Sequence, residues 1–310
     1  MKNGKHILVT GGAGYLGSVL VPMLLYDGHD VTVLDLFLHG ENSLAGCCAA
    51  PHFAIVNGDC RDERILNDLV RKADVIVPLA AIVGASACER DAHAAHLTNT
   101  HAIRLLRYRL STEQRLIFPM TNSGYGVGGA AECDETSPLQ PLSIYGRSKV
   151  AAEEEVLRHE NAISFRFATL FGASARHRTD LMVNDFVLRA VRDGCITLFE
   201  PHFRRNFLHV RDAANAFVWA IDHPEMIGIY NVGDSRANMT KLQLAETISH
   251  HLPLTISSAG VAKDQDKRDY IVSNAKIEAT GWNSVHTLDE GIVELIKLYQ
   301  GLRVNRYGNA

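Results

Sequence analysis

The sequence has 310 residues, of which 46% are hydrophobic and 21% charged, and its formal net charge at pH 7 is −4. This balance is typical of globular proteins with a large core, and the scattered charges exclude the basic stripe of a nucleic-acid binder. No run approaches the roughly 18 apolar residues that cross a bilayer, and the six cysteines lack the CxxC spacing of zinc sites. We therefore expect small-molecule chemistry in the reducing cytoplasm, without a membrane, a nucleic-acid partner or a metal.

Short apolar runs alternate with helical segments over the first 172 residues. The runs that predict strands are HILVT (6–10), VTVLD (31–35), FAIVNGD (53–59), VIVPLA (75–80), RLIFPMT (115–121) and ISFRFATLF (163–171). Most are continuously apolar, which is typical of strands covered on both faces. Helical periodicity fills the gaps at 15–27, 62–72, 91–110 and 144–160. The order predicts an α/β fold with a Rossmann-type doubly wound parallel sheet.

The pattern is less regular after residue 172. Helices are predicted near 181–193, 211–222, 240–251 and 287–300, and short strands at CITLFE and NFLHV. No linker or repeat separates this part from the rest. We predict a Rossmann domain over residues 1–172 and a smaller C-terminal lobe over 173–310, interleaved at an approximate boundary, with the lobe on the carboxyl ends of the strands, where ligands of such folds bind.

The stretch GGAGYLG lies between the first strand and the first helix. Gly11, Gly14 and Gly17 form a GxxGxxG pattern, which permits a tight turn and close approach of a pyrophosphate to the helix N-terminus. The pattern alone is weak, but its place after a strand favours a dinucleotide site over a plain glycine-rich turn. Tyr15 and Leu16 belong to the same predicted cofactor loop.

Asp35 ends the second strand, 18 residues beyond Gly17. A carboxylate there suits the hydroxyls of an adenosine ribose and repels a 2′-phosphate, and no arginine in LFLHGENSL offsets it. The sequence therefore predicts NAD rather than NADP as the cofactor. The alternative role for Asp35 is that of a turn residue.

Two further strand ends add candidate cofactor contacts. Asp59, after the third strand, could accept a hydrogen bond from the adenine amino group, with Cys60 beside it, whereas Asp62 is typical of a helix cap. The loop after the fourth strand has small side chains that allow close approach to the nicotinamide ribose, although a buried strand end would look the same. The residues predicted to contact the cofactor there are Leu79, Ala80 and Ala81.

Tyr145 and Lys149 are four residues apart in PLSIYGRSKVAAEEE and share a helix face. Tyrosine is a poor base near neutral pH unless a cation stabilises its phenolate. The spacing alone does not separate a catalytic pair from two surface residues, but Thr121 and Ser123 stand at the end of the fifth strand. A hydroxyl there could hold a substrate oxygen for the tyrosine. The run EEE at 153–155 is predicted to be a solvated helix face.

The glycine loop, the strand-end threonine and YxxxK, in this order, resemble the extended, sugar-nucleotide branch of the short-chain dehydrogenase/reductase superfamily. The resemblance implies that Tyr145 is the base and Thr121 the catalytic hydroxyl. It also implies that Lys149 lowers the pKa of Tyr145 and holds the nicotinamide ribose, and that Asn99, in HLTNTHAI, supports the lysine through the active-site structure.

In the lobe, the resemblance implies a site for a nucleotide-diphosphate sugar. Asn184 in LMVNDFV is similar to a phosphate-binding asparagine, and Arg205 in RRNFLHV and Arg268 in KRDYIVS are similar to diphosphate-binding arginines. The predicted substrate contacts also include Thr121, Asn122 and Ser123. Relatives commonly form homodimers through helices equivalent to 91–110 and 144–160, so a homodimer is expected.

The reaction implied by the resemblance is oxidation of a sugar C4 hydroxyl. A sugar-nucleotide 4-epimerase is favoured, and a C4 dehydrogenase that releases a 4-keto product, for example from a GDP-heptose, is the alternative. A 4,6-dehydratase is disfavoured because the Asp-Glu pair typical of that reaction is replaced by Asn122 and Ser123, which do not titrate usefully. A non-catalytic NAD-binding protein is the remaining hypothesis.

Overall fold

The computed structural model describes residues 4–39, 43–258 and 268–301. The strands are β1 (His6–Thr10), β2 (Asp30–Asp35), β3 (Phe53–Asn57), β4 (Val75–Pro78), β5 (Arg115–Thr121), β6 (Val127–Cys133), β7 (Ala162–Phe167), β8 (Thr169–Phe171), β9 (Cys195–Leu198), β10 (Arg204–His209), β11 (Gly228–Val232), β12 (Asn238–Thr240), β13 (Thr255–Ser258) and β14 (Asp269–Val272). The α-helices are α1 (Gly17–Tyr26), α2 (Glu63–Val70), α3 (Ala85–Arg90), α4 (Ala92–His96), α5 (Ala102–Arg107), α6 (Ile144–Val156), α7 (Met182–Asp193), α8 (Val210–Asp222), α9 (Lys241–Ser249), α10 (Ala275–Glu278) and α11 (Leu288–Gly301).

Among the described residues, seven strands form a parallel sheet in the order β11-β7-β5-β4-β1-β2-β3. The predicted Rossmann-type, doubly wound fold is therefore confirmed. The sequence patterns miss β11, since its five residues begin with glycine and include polar Asn231. The strand order reverses between β1 and β4, and the carboxyl ends beside such a reversal are where ligands of open α/β sheets bind.

Helices cover both faces of this sheet, which explains the continuously apolar strands. In β1, Ile7 and Val9 face a core formed with α1 and α8, whereas Leu8 faces a core formed with α2, α5 and α6. Asp62 accepts hydrogen bonds from the backbone N–H groups of Arg64 and Ile65 and caps α2, so that prediction is confirmed. The sheet therefore lies between two apolar layers, and polar side chains are found at its carboxyl ends.

Within the described residues, the smaller lobe contains short sheets together with helices α7, α9 and α11. Strand β10 pairs with β8 and β12, β9 pairs with β13, and β6 pairs with β14. Helices α7, α9 and α11 enclose a separate apolar core with β8, β9 and β10, whereas β6 and β14 contribute to a different, smaller cluster. The lobe thus has its own packing while it remains joined to the main sheet through β7 and β8.

Two predicted elements are divided in the structure. The run 163–171 was predicted as one strand, but β7 ends at Phe167 and β8 begins at Thr169, because β7 pairs with β5 and β11 whereas β8 pairs with β10. The helix predicted over 91–110 contains a π-helical turn at Leu97–His101 between α4 and α5. Both interruptions lie beside the carboxyl edge of the sheet, and π turns are frequent at functional sites.

The predicted division of the chain at residue 172 stays a prediction. Strand β11 completes the main sheet and α8 packs against α1, although both follow residue 172. Residues of the second half therefore contribute to both parts of the fold.

Candidate active site

A cavity of about 940 Å³ lies between the carboxyl ends of the main sheet and the smaller lobe. It brings together residues that are far apart in the sequence, from the glycine loop to Arg268. The predicted cofactor residues that line it are Gly11, Gly14, Tyr15, Leu16, Gly17, Asp35, Asp59, Cys60, Leu79, Ala80, Ala81, Tyr145 and Lys149. Of the predicted substrate residues, Thr121 and Arg268 line it.

The glycine loop is shaped by close backbone contacts. Gly11 has φ +72°, and a Cβ at this position would lie 2.5 Å from the backbone nitrogen of Ala80. A Cβ on Gly17 would overlap the carbonyl oxygen of Gly12. No side chain caps the N-terminus of α1, which begins at Gly17. The loop therefore offers uncapped backbone and a helix dipole to an anionic ligand.

The carboxylate of Asp35 lies at the end of β2 and organises the adjoining backbone. One oxygen accepts a hydrogen bond from the N–H of Ala13 at 2.9 Å and the other from the N–H of Phe37 at 2.8 Å. Phe37 has φ +50°, so the chain turns sharply here. Residues 40–42 of the segment LFLHGENSL lie outside the described residues. Asp35 keeps its remaining acceptor capacity towards the cavity.

Asp59 and Cys60 border the same side of the cavity. Arg61 donates to Asp59, with a shortest distance of 2.6 Å, and this pairing lowers the pKa of the carboxyl group. Burial raises the pKa of Cys60 to about 11, so its thiol is neutral and acts as a small apolar neighbour at neutral pH.

Helix α6 places Tyr145 and Lys149 on one cavity wall. Ser143 caps the helix by accepting a hydrogen bond from the N–H of Gly146 at 3.0 Å, which fixes the first turn around Tyr145. The Lys149 side chain is buried, and its Nζ lies 4.0 Å from the centre of the Phe118 ring. Burial lowers the pKa of Lys149 to about 7, and the Glu153 carboxylate opposes this effect.

The pKa of Tyr145 is set by burial and by two arginines. Burial raises it to about 12, and the guanidinium groups of Arg178 and Arg268 act in the opposite direction. The resemblance assigns such a lowering effect to Lys149 as well, and that role stays a prediction. The phenol therefore faces positive charge from the lobe as well as the lysine on its own helix.

Thr121 lines the cavity, but the two residues after it do not. The Thr121 hydroxyl lies 3.1 Å from the Ser123 hydroxyl and also accepts from the N–H of Ser123. Asn122 and Ser123 are buried, so the structure does not bring these two predicted substrate contacts into the cavity. The reason is the 3₁₀ turn at Asn122–Tyr125, which directs the chain away from the strand end.

Asn99 also lies outside the cavity, in the π-helical turn. Its amide accepts from the N–H of Ile82 at 2.8 Å and donates to the Ile82 carbonyl at 2.9 Å and to the Ser148 hydroxyl at 3.1 Å. Asn99 therefore joins the loop after β4 to the residue preceding Lys149. This placement is compatible with indirect support of the lysine, and the role stays a prediction.

Two predicted substrate residues of the lobe are buried away from the cavity. Asn184 accepts from the N–H of Gly172 and donates to the carbonyl of Arg178. Arg205 donates to the carbonyl oxygens of Arg204 and Arg268 and packs over Tyr270. Each contacts the backbone of a neighbouring cavity segment, and neither side chain lines the cavity. The phosphate contacts implied by the resemblance stay a prediction.

The loop between β8 and α7 (residues 172–181), here called the arginine loop, supplies cavity residues that the sequence analysis missed. Arg176, Arg178 and Asp180 line the cavity, and Arg178 donates to Asp180 at 3.1 and 2.6 Å. The loop is anchored where Tyr15 donates to the carbonyl of Gly172. The sequence signal was the pair of arginines in ARHRTD directly after a strand end.

The run 153–155 is not the solvated face that the sequence predicts. Glu154 is exposed, but Glu153 is 2% exposed and Glu155 is 9% exposed. Helix α6 packs against β7 on one side and α5 on another, and both elements supply arginines to these carboxylates.

The residues that line the cavity fit a dinucleotide. The Gly11 backbone packs directly against that of Ala80 and leaves no room for a Cβ, and Asp35 offers a carboxylate at the next strand end. These two features match a pyrophosphate cradle and a ribose acceptor. The described residues contain no cluster of three or more His, Cys, Asp or Glu side chains placed for a metal ion. Every helix within residues 4–39, 43–258 and 268–301 is too short or too polar to span a bilayer.

Known proteins with similar sequences cover most of the chain. Residues 7–233 match the NAD dependent epimerase/dehydratase family. The chain is 30% identical over 253 residues to the ADP-L-glycero-D-manno-heptose-6-epimerase of Alkalilimnicola ehrlichii, covering 74% of this chain and 76% of that protein. It is 27% identical over 315 residues to the UDP-glucose 4-epimerase of Corynebacterium glutamicum, covering 93% of each.

Solved structures agree with the fold. DesIV, a dTDP-glucose 4,6-dehydratase of Streptomyces venezuelae crystallised with NAD, has a TM-score of 0.85 at 24% identity and covers 96% of this chain and 98% of its own. The family match begins in β1 and ends just beyond β11, so it spans the whole main sheet.

Proposed function

Since the chain belongs to the NAD-dependent epimerase/dehydratase family, we propose that this NAD-dependent enzyme is a sugar-nucleotide 4-epimerase that oxidises the C4 hydroxyl of a nucleotide-diphosphate sugar. The observation that carries the proposal is that Tyr145, Lys149 and Thr121 line one cavity with the glycine loop and Asp35. The proposed base, the proposed catalytic hydroxyl and the predicted cofactor contacts therefore line the same cavity.

Tyr145 is the proposed base. Its phenolate takes the proton of the sugar hydroxyl, and the resulting phenol returns a proton to the ketone oxygen. Burial raises the pKa of Tyr145 to about 12, so the phenolate depends on cations nearby, which Arg178, Arg268 and Lys149 supply. The Thr121 hydroxyl orients the reacting oxygen. Bound NAD supplies a reversible hydride acceptor, and in an epimerase both the hydride and the proton return to the sugar.

The lobe side of the cavity suits a diphosphate. Arg176, Arg178 and Arg268 line it, and guanidinium groups bind phosphate oxygens in pairs. The relatives named above carry ADP- and UDP-linked substrates in their names. We therefore propose a nucleotide-diphosphate sugar as the substrate. The substrates to be tested include several nucleotide bases and several sugars, among them a heptose.

Epimerisation is favoured over 4,6-dehydration by the residues after Thr121. Elimination of water needs an additional acid and base, whereas Asn122 and Ser123 are neutral at ordinary pH and are buried outside the cavity lining. A net C4 dehydrogenase would use the same tyrosine and differs only in releasing the ketone.

The test uses substrates with deuterium at C4. The protein is incubated with NAD and with UDP-, dTDP-, GDP- and ADP-linked hexoses and heptoses, and products are analysed by NMR and mass spectrometry. A 4-epimerase inverts C4 and keeps the deuterium on the sugar. Deuterium that accumulates on the reduced cofactor supports the dehydrogenase. A product that is inverted at C6 and has the original configuration at C4 contradicts the assignment of C4.

Tyr145→Phe is the matching variant. We expect its turnover to fall by about 10²- to 10⁴-fold, the usual contribution of an acid–base group, while NAD binding is retained. Tyr26→Phe is the control, because Tyr26 is 92% exposed on α1. Full activity in Tyr145→Phe would remove the base assignment.

We also propose that the enzyme is a cytoplasmic homodimer. The location rests on the cysteine pattern, and the dimer rests on the resemblance. Arg104 and Arg107 of α5 pair with Glu155 of α6 in the same chain at 3.6 and 3.4 Å. The single Glu155 carboxylate offsets part of their positive charge within one subunit, which lowers the cost of packing this helical face against a second copy.

A further inference from the structure

We propose that Glu153 is a positioning residue that keeps the Lys149 ammonium charged by presenting a carboxylate one helical turn away inside the protein. The two residues are four apart on α6, with Lys149 nearer the N-terminus of the helix, and therefore lie on one face of the helix. The inference rests on the proposed function for its catalytic meaning, since a charged Lys149 serves Tyr145.

The Glu153 carboxylate accepts hydrogen bonds from three donor groups. Ser164 donates its hydroxyl at 2.6 Å, and Arg166 donates through Nε at 3.1 Å and through Nη2 at 2.7 Å. Both partners lie on β7, and both are buried. The Glu153 carboxylate is therefore held in one position within the core, where it forms an ion pair with Arg166 at 2.7 Å.

Lys149 needs an opposing charge because it is buried. Only 3% of the residue is exposed, and Nζ lies over the Phe118 ring. Burial lowers the pKa of Lys149 to about 7, and Glu153 acts against that change. A lysine with this pKa is near half protonation at neutral pH, so the loss of one nearby carboxylate would leave it mostly neutral.

The ionisable groups around the pair come from several elements. Arg166 also donates to the Tyr125 hydroxyl at 3.1 Å, which in turn donates to Asn231 on β11. Glu155, on another face of α6, pairs with arginines of α5 instead. The groups that face α6 from the elements packed on it are Cys88 on α3, Tyr125 after β5, Arg166 on β7, and Arg178 and Arg268 across the cavity.

The experiment measures the protonation of Lys149 directly. The full chain is labelled with ¹³C at lysine Cε and titrated by NMR, and the Lys149 signal is assigned by its absence in Lys149→Met. We expect Glu153→Gln to lower the pKa of Lys149 by about 1 and Glu153→Asp, which keeps the charge, to leave it close to wild type. The alkaline limb of kcat/KM in Glu153→Gln should move to lower pH by the same amount.

Glu155→Gln is the matched control. It removes a second buried carboxylate from the same helix and should leave the pKa of Lys149 unchanged. If Glu153→Gln leaves Arg166 uncompensated and fails to fold, the double variant Glu153→Gln/Arg166→Met removes both charges. It should also lower the pKa of Lys149, but by less, because the loss of the Arg166 positive charge partly offsets the loss of the Glu153 negative charge.

An unchanged pKa of Lys149 in Glu153→Gln, or in the double variant where that is the folded protein, would overturn the proposal. So would an equal decrease in Glu155→Gln. The titration needs no substrate, so its result is separate from the proposed function. A protein that titrates as expected but converts no nucleotide sugar contradicts the proposed function alone.

Discussion

The glycine loop and the loop after β4 present backbone and small side chains to the cavity, whereas the arginine loop presents long charged side chains. On the first side, Gly11 and Ala80 are in close backbone contact. On the second, Arg176 and Arg178 extend from the arginine loop. One methyl group can distort a site made of closely packed backbone, whereas truncation of one side chain removes one contact and leaves the others. The two sides should therefore respond differently to substitution.

The largest effect is expected for Gly11→Ala. The new Cβ would lie 2.5 Å from the Ala80 nitrogen, at a φ of +72° that L-residues avoid. Overpacking and the left-handed backbone together cost about 2–5 kcal/mol. We expect NAD binding, measured by calorimetry, to weaken by about a hundredfold or more.

Gly28→Ala separates the effect of the left-handed backbone from the effect of overpacking. Gly28 also has a positive φ, of +86°, but nothing lies within 4 Å of its Cβ position. This variant should lose about 1 kcal/mol of stability and bind NAD normally. Wild-type affinity for NAD in Gly11→Ala would show that the glycine loop is not the cofactor site.

Arg178→Ala should have a smaller effect than Gly11→Ala. It should weaken binding of the nucleotide sugar on the lobe side of the cavity and leave NAD binding unchanged. Loss of a charged hydrogen-bond donor to phosphate costs about 1.5–3 kcal/mol, so KM for the nucleotide sugar should rise about 30-fold while the Kd for NAD is unchanged. Arg192→Ala is the control, because Arg192 forms a similar pair with Asp193 at 2.9 Å on the exposed end of α7. Equal losses of NAD and nucleotide-sugar affinity in Arg178→Ala would contradict the separation of the two sides.

Asp35→Asn should have the smallest effect of the three. Asparagine keeps one acceptor for the N–H groups of Ala13 and Phe37 but removes the charge. NAD affinity should fall about tenfold, and the preference for NAD over NADP should narrow because the repulsion of a 2′-phosphate is lost. Asp30→Asn, at the opposite end of β2 and 2.7 Å from His52, is the control. An unchanged preference for NAD over NADP in Asp35→Asn would contradict the role of the Asp35 charge in selecting NAD.

The fold and the backbone-lined side could be predicted because their signals are local. The glycine spacing, the apolar run before it and Asp35 lie within one βαβ unit, and the sheet packs them as that unit requires. Tyr145 and Lys149 likewise share one helix. Each of these predictions needs only a few neighbouring residues and the geometry of regular elements.

The lobe side could not be predicted in the same way. Whether Asn184 or Arg178 points into the cavity depends on the path of the arginine loop, which is anchored by the bond from the Ala173 N–H to Glu294 on α11. That contact joins residues far apart in the sequence. Glu153 is a further example, because a carboxylate on a helix appears solvated until β7 brings Arg166 against it.

The late position of β11 in the chain has a consequence for biosynthesis. Until Gly228–Val232 has been made, the edge of β7 has no strand beside it, and α1 lacks α8 as a partner until Val210–Asp222 has been made. Unpaired parallel edges invite association with other chains. The growing polypeptide therefore carries an incomplete sheet through most of its synthesis, and fragments that end near residue 172 should aggregate when expressed alone.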